Sequence, residues 1–415
     1  MEEYRIANPA LADQGKIKIA WAWNFMPVLK LLQEKYKKER PLNGIRVAAC
    51  LHLEAKTACL LRALRALGAD VVAAGSNPLS TQDDVCAALV ANGIKVYSWH
   101  GMTMEEYYGN LHALLAWSPQ ILIDDDGGDL VTLIHKQRPD LLPYIKGGCE
   151  ETTTGIKRLK AMSREGILAF PMLAVNDALS KHLFDNRYGT GQSVWDAVCR
   201  LTNMLVAGKE VVVCGYGWCG RGVASRASGL GARVTIVESD PHRALEAYMD
   251  GFYVTDMATA ACTGDIFITT TGNIHVIRKE HFAVMKDGVI LANAGHFDVE
   301  ISCIDLSEIS AKKMPTRQGV TTYITDDGRS FHLLVEGRLV NLAGGDGHPI
   351  EIMDLSFALQ LLSVLYINEN DLEPGLYPVP VDIDKKVAHL KLEALGIKLE
   401  KLTPEQEEYM GRWEE

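Results

Sequence analysis

Glu210-Val-Val-Val-Cys-Gly-Tyr-Gly-Trp-Cys-Gly220, followed by a second apolar run that ends on an acid, Val234-Thr-Ile-Val-Glu238, decides the fold of this chain. An apolar strand enters a GxGxxG turn, a small-residue stretch supplies a helix, and the next strand stops at a carboxylate. This is the order of a dinucleotide-binding unit. Gly215 lets the chain turn tightly, Gly217 lets backbone approach a pyrophosphate, and Gly220 lets helix pack close to strand. Trp218 and Cys219 lie in the same turn, where the helix N-terminus presents its positive dipole end to phosphates. Glu238 lies 23 residues after Gly215, placed to accept from both ribose hydroxyls. It would repel a 2′-phosphate, so the expected cofactor is NAD rather than NADP. A glycine-rich turn in an unrelated α/β protein would not need both strands and the acid.

The unit begins near residue 209 of 415, so a domain-sized stretch precedes it. Length predicts two or three domains with ample core. Hydrophobic residues make up 47% and charged residues 23%, the balance of a soluble globular chain. The net charge of −11 argues against nucleic acid and anionic membranes as partners. No apolar run is read as reaching the ~18 residues of a membrane-crossing helix. The start, Met1-Glu2-Glu3-Tyr4-Arg5, is acidic and lacks the apolar core of a signal peptide. Nine cysteines are scattered without CxxC or zinc-type spacing, so no metal site is expected. They read as reduced thiols of a cytoplasmic protein.

Residues 45–150 alternate strand-like and helix-like segments. Arg46–Cys50, Asp70–Ala74 and Ile94–Tyr97 read as strands, Thr57–Leu67 as an amphipathic helix, and Ile121–Ile123 as the end of another apolar run. Such alternation is the pattern of a parallel α/β sheet. A second α/β region runs from about 192 to 345, with later strands at Ile266–Thr270, Val289–Ala292 and Leu333–Val335. Phe357–Tyr366 reads as a buried helix that returns to the first domain. The expected architecture is therefore α/β, two Rossmann-like doubly wound domains plus a small helical C-terminal segment. Residues 1–180 and 348–380 form a substrate domain and 190–346 an inserted NAD-binding domain. Residues 381–415 form a charged helical segment, read as an oligomer contact or a solvated helix. Two crossings, at about 177–191 and 346–350, make a hinge.

Polar clusters sit where ligands meet open α/β sheets, after the strands. Cys50-Leu-His52-Leu-Glu54-Ala-Lys56-Thr57 follows the first strand and Asp124-Asp-Asp126-Gly-Gly-Asp129 another. Taken alone, the aspartate run also reads as a solvated turn, and Glu150-Glu151-Thr152-Thr153-Thr154-Gly155 as a helix cap. Lys181 and Asp185, four apart, also read as a surface pair. His296 and His348 taken singly are ordinary core or surface histidines.

Together these runs resemble the S-adenosylhomocysteine hydrolase family. LHLEAKT (51–57), STQDD (80–84), DDGGDL (125–130), GGCEETTTG (147–155), VNDALSKHLFDNRYG (175–189), GYGWCGRG (215–222), GHFDVEI (295–301), EGRLVNL (336–342) and GHP (347–349) look like its motifs in its order, from about Ala10 to Tyr409. The resemblance implies a tightly held NAD, used and regenerated within one turnover. A thioether at C5′ of a nucleoside is a poor leaving group. Oxidation of the 3′-hydroxyl acidifies the C4′ proton, homocysteine thiolate leaves by elimination, water adds, and reduction restores the ribose. By the resemblance, Lys181 takes the 3′-hydroxyl proton, which requires a lowered pKa. Asp185 and Glu151 orient the ribose, Asp126 is the C4′ base, and His52 handles protons at C5′. Glu54, Lys56 and Thr57 face the substrate, with His296 and His348 near the homocysteine portion. Thr152, Thr153, Thr154, Asn186, Glu238 and Asn341 contact NAD, with Arg243, Thr271, Gly272, Asn273, Ala294, Gly295, His296 and His348 beside them. A homo-oligomer, a tetramer as in the family, is also implied.

The chain departs from the family pattern in several places. A cysteine common after the FDNxYG motif is Thr190, an asparagine common near Glu238 is Arg243, and a C-terminal tail with lysine and tyrosine is absent. Near the nucleobase the chain has Glu54 and Lys56 where many members have a threonine and then a carboxylate or amide. One acceptor and one donor serve adenine or hypoxanthine, so S-inosylhomocysteine stands beside S-adenosylhomocysteine as a substrate. Two other readings remain. A plain NAD-dependent dehydrogenase would not need the EETTTG and FDNRYG clusters, and a non-catalytic nucleotide-binding relative would not need the acid–base set.

Overall fold

The structure, a computed structural model, describes residues 3–413. Met1 and Glu2, part of the N-terminal stretch read above, and Glu414 and Glu415 lie outside the described residues. Fifteen strands are described: β1 (Arg46–Leu51), β2 (Asp70–Gly75), β3 (Lys95–Tyr97), β4 (Ile121–Asp124), β5 (Gly147–Glu150), β6 (Pro171–Ala174), β7 (Glu210–Cys214), β8 (Arg233–Val237), β9 (Tyr253–Thr255), β10 (Ile266–Thr269), β11 (Val289–Asn293), β12 (Ser310–Arg317), β13 (Val320–Thr325), β14 (Ser330–Leu334) and β15 (Gly375–Pro378). They form two sheets.

The first sheet has the order β15-β6-β5-β4-β1-β2-β3 and every pairing in it is parallel. Its strands are apolar on both faces because helices cover both. Val47, Ala49 and Leu51 enter one core, Ala48 and Cys50 the other. The second sheet has the order β12-β13-β14-β11-β10-β7-β8-β9. Val211 and Val213 of β7 face one core and Val212 and Cys214 the other. Two features correct the sequence reading of this region. Its last three strands include an antiparallel meander, β12-β13-β14, and β14 stops before Val335.

The helix expected at Phe357–Tyr366 spans Ile350–Glu369. It corrects the expectation that no apolar run has membrane length. Its mean hydropathy of 1.7 over 18 residues meets that standard by length and composition, yet 72% of that window is buried. Phe357, Leu361 and Leu365 fill the core above β1, so it serves as the central helix of the first domain. β15 follows it and pairs with β6. The segment 381–415 divides. The helix Val381–Ala394 packs on Ile350–Glu369 and on the helix Pro27–Tyr36 of the same chain, whereas Pro404–Gly411 buries no residue.

One buried carboxylate fastens this arrangement. Asp354 accepts from the amides of Val28 (3.1 Å) and Leu29 (2.9 Å) at the start of Pro27–Tyr36, and pairs with Lys391 Nζ at 3.0 Å. Three helices thus meet on one side chain with no exposed surface. Replacing Asp354 by Ala leaves two amides without acceptors and Lys391 without its counter-charge, holding only the Glu351 carbonyl. The expected loss in urea unfolding is about 3–5 kcal/mol, with Lys391→Met costing less because Asp354 keeps both amides.

Candidate functional site

In each sheet the strand order reverses at one place. In the first sheet β1 lies between β2 and β4, and in the second β7 lies between β8 and β10. Connections on either side of such a point leave in opposite directions and open a crevice at the carboxyl ends. His52 follows β1, and Asp125 follows β4, its register neighbour. Glu151 follows β5 alongside. Gly215 follows β7, Thr270 follows β10, and His296 follows β11. The two carboxyl edges share one cavity of about 820 Å³. Every residue given a substrate or cofactor role in the sequence lines it except Asp126 and Gly220.

Gly220 is where its packing role requires it. A Cβ there would stand 2.0 Å from the Gly215 carbonyl oxygen. Asp126 is a correction. Its Oδ1 accepts from the amides of Gly128 (2.8 Å) and Asp129 (2.9 Å), and its Oδ2 from Leu130 (2.8 Å). Both oxygens are thus committed to the turn that starts the helix Asp129–Gln137, and Gly127 and Gly128 take positive φ of 74° and 83° to let the turn form. Asp124 ends β4, fully buried. The carboxylate that faces the cavity is Asp125, its Oδ2 3.6 Å from His52 Nε2.

The ribose-handling cluster is built on an unusual turn. Residues His182–Gly189 form a π-helix, whose wider turn brings i+5 under i. Lys181 Nζ meets Asp185 Oδ1 at 2.9 Å, four residues on, and Asn186 Oδ1 at 2.8 Å, five on. Asn186 then donates to Asn176 (3.1 Å), which also accepts from Thr153 (3.1 Å). Asp185 also pairs with His348 Nδ1 at 2.8 Å, so the two segments that cross between domains meet on one carboxylate. Glu151 accepts from Gln360 of the central helix at 2.9 Å.

Charge follows from this crowding. Burial pushes the Lys181 pKa down, but Asp185, Glu151 and Asp125 more than offset it, and the net shift is upward. The lowered lysine pKa expected from the sequence is therefore corrected, and Lys181 is an ammonium in this arrangement. Burial pushes Asp185 up, yet Lys181 and His348 hold it below the usual carboxylate range. Desolvation, with Glu151 beside it, raises Asp125 well above that range, and burial raises Glu151. Burial also drives His52 down to about 3 and His296 to about 4, so both imidazoles are neutral near pH 7.

The second edge fits a dinucleotide. A Cβ on Gly217 would meet only Arg243 Nη1, at 3.8 Å, so the turn opens onto the cavity. Glu238 lines the same end, its carboxylate accepting from the amides of Tyr216, Ser239 and Asp240. Asn341 donates from its Nδ2 to Ser193 at 3.0 Å, and its buried Oδ1 has no hydrogen-bond partner among the described residues, leaving an acceptor for a carboxamide. Thr152 sits at the N-cap of Thr153–Arg164 but makes no side-chain cap bond. Its hydroxyl is therefore not used as a helix cap. Glu300 accepts from Thr271 and Gly272 and approaches so closely that a Cβ on Gly295 would lie 1.7 Å from it. Glu54 accepts from the amides of Lys56 and Thr57 at the start of Ala55–Ala66. Lys56 Nζ meets Glu54 at 2.8 Å and donates to the Asp346 carbonyl at 2.7 Å.

Sequence reasoning missed Asp125, Asn176 and Glu300. Each lies inside a quoted motif, so the signal was present, but motif spacing does not tell which of two adjacent acids faces a cavity. His52 Nδ1 is also held by Ser80 (2.7 Å) and Ser76 (3.2 Å).

Comparison with known proteins gives the same picture. Residues 186–347 match the S-adenosyl-L-homocysteine hydrolase NAD binding domain, and residues 3–141 match S-adenosyl-L-homocysteine hydrolase. The chain is 58% identical to the S-inosyl-L-homocysteine hydrolase of Methanopyrus kandleri over 100% of this chain and 98% of that protein. It is 57% identical to the adenosylhomocysteinase of Thermococcus kodakarensis over the same shares, and 53% identical to that of Aquifex aeolicus over 99% of each.

The two adjacent aspartates separate in a stability measurement. Asp126→Ala leaves three amides without acceptors and is expected to cost about 1–3 kcal/mol in urea unfolding. Asp125→Asn, whose side chain holds no turn amide, is expected to lower the urea midpoint less than Asp126→Ala. The reverse order would mean that Asp125, not Asp126, holds the turn.

Proposed function

Because the chain belongs to the S-adenosyl-L-homocysteine hydrolase family, we propose that it reversibly cleaves a nucleosidyl-homocysteine thioether to the nucleoside and L-homocysteine, with NAD held in the shared cavity. Bound NAD supplies a reversible hydride acceptance at the ribose 3′ carbon. The observation that carries the reading is the Lys181 cluster, bonded to Asp185 and Asn186, in the cavity that the glycine turn opens onto. Lys181 holds the 3′-oxygen. Its ammonium first gives a proton to Glu151, whose proton affinity burial has raised, and the amine then takes the hydroxyl proton. Asp125, which faces the cavity beside His52 and whose proton affinity desolvation raises, takes the C4′ proton. Neutral His52, held by Ser80 and facing Asp125, passes protons to the departing sulfur and from the incoming water. The paired crossings at Asp185 and His348 serve as the hinge of a closure that shields these steps from solvent.

Nine free cysteines, none paired, support a cytoplasmic protein. Leu395, Ile397, Leu399, Leu402, Tyr409 and Met410 are exposed along the C-terminal segment, which supports a homo-oligomer, a tetramer, whose partner covers them. The acidic net charge supports a small-molecule enzyme with no nucleic-acid or membrane partner.

The Glu54–Lys56 pair favours a second substrate. Lys56 presents donors only. Two of its ammonium protons go to Glu54 and the Asp346 carbonyl, and the third is free. Hypoxanthine O6 on Lys56 with N1–H on Glu54 uses both groups, as does adenine N1 on Lys56 with the N6 amine on Glu54. The relatives in Methanopyrus kandleri and Thermococcus kodakarensis are named for S-inosylhomocysteine and S-adenosylhomocysteine respectively.

Single-turnover absorbance of the bound nicotinamide tests the first step. Lys181→Ala and Glu151→Gln are each expected to retain NAD and to slow nucleoside oxidation about 10²–10⁴-fold. Near-normal oxidation in Glu151→Gln would remove it from the proton path.

Thiol release tests the base. Both S-adenosyl- and S-inosylhomocysteine are expected to turn over. Lys56→Ala should weaken both substrates by about tenfold to a hundredfold, because hypoxanthine O6 and adenine N1 each lose their donor. Background release from the inosyl substrate would restrict the chain to adenine.

A further inference from the structure

His52, Asp125 and His296 bring their side chains together at one place in the cavity. We propose that they form a three-ligand site for a zinc-class divalent ion, with the fourth position open to a thiolate. Their ligand atoms all lie within 4.8 Å of one another, and His52 Nε2 stands 3.6 Å from Asp125 Oδ2. Two imidazoles and one carboxylate are the donor set of zinc and cobalt rather than magnesium, which takes oxygen ligands. Three protein ligands with an open position are the arrangement of reactive rather than structural zinc.

Both rings are already oriented. His52 Nδ1 bonds Ser80 at 2.7 Å and Ser76 at 3.2 Å, which turns Nε2 toward Asp125. The His296 ring lies edge-on to Phe297, centroids 4.6 Å apart, and 6.3 Å from the His52 ring. Such outer contacts aim metal-binding histidines and tune their affinity.

The ligands come from both domains. His52 and Asp125 follow β1 and β4 of the first sheet, and His296 follows β11 of the second. An ion bound here therefore clips the two domains together across the cavity. It also occupies the space where sulfur leaves, so a thiol product completes the tetrahedron and is trapped. The ion acts as a product-assisted inhibitor. The thiolate part rests on the function proposed above, whereas the metal part does not.

Cobalt(II) reports both parts. NAD-loaded protein dialysed against cobalt, then passed through a desalting column, is expected to retain one equivalent with the intense visible bands of tetrahedral geometry. His296→Ala and Asp125→Asn should each weaken retention more than about tenfold. Cys262→Ser, at an exposed thiol, should leave it unchanged. Bound NAD and the urea midpoint of each variant report folding, and His52→Gln provides a third ligand change. L-homocysteine should add a sulfur-to-cobalt charge-transfer band that L-homoserine does not. Equal retention in all variants, or only weak octahedral absorption, overturns the site. Retention without the sulfur band overturns the open thiolate position. Thiol release from the metal-free enzyme, measured in parallel, shows separately whether the hydrolase reading stands.

Discussion

A single buried ammonium, that of Lys181, holds the centre of this molecule together. Asp185, Glu151 and Asp125 reach it from a π-turn, from the end of β5 and from the end of β4. Without the cation, three acids would share one water-poor cleft, and several kcal/mol of repulsion would open it or force protons onto them. Their positions thus depend on a charge that belongs to none of their own elements. Asp185 extends the network to His348 and Ser356, so the ion group at the reacting centre also fixes the second crossing and the central helix.

Two sheets of similar winding meet with their carboxyl edges together. Each edge alone offers half a site. The first brings acids, imidazole and amides, while the second brings a glycine turn and an unpaired carboxamide acceptor on Asn341. The glycines matter where backbone must come close. A Cβ at Gly220 or at Gly295 would collide with a carbonyl or a carboxylate. Arg243, in place of an asparagine common in the family, puts a guanidinium beside the Gly217 turn, where a dinucleotide carries negative charge.

The dinucleotide turn, the strand-ending acid and most of the candidate site were legible in the sequence, because glycine spacing and period-free apolar strands carry their physics locally. Other parts were not. β12, Ser310–Arg317, is largely exposed and shows no alternation to mark an edge strand. The helix Ile350–Glu369 hides Asp354, Ser356, Gln360 and Ser363 in its buried faces, so its length in apolar residues was underestimated. Asp125 and Asp126 differ only in which way the chain turns after β4. The charge state of Lys181 depends on neighbours up to 56 positions away, which local reading does not weigh.

The first sheet is completed late. β15 pairs with β6 some 200 positions earlier, and the helix that fills its core begins at Ile350. During synthesis, the whole nucleotide-binding domain emerges from the ribosome before the substrate domain can close its core. The inserted domain has every strand it needs within its own span, so it can fold first while the flanking half waits with an apolar face uncovered. At chain-elongation rates of about 5–20 residues per second, that interval lasts for seconds. It is the stage at which a chaperone would be most needed, and at which a mispaired β6 edge would send the chain toward aggregation.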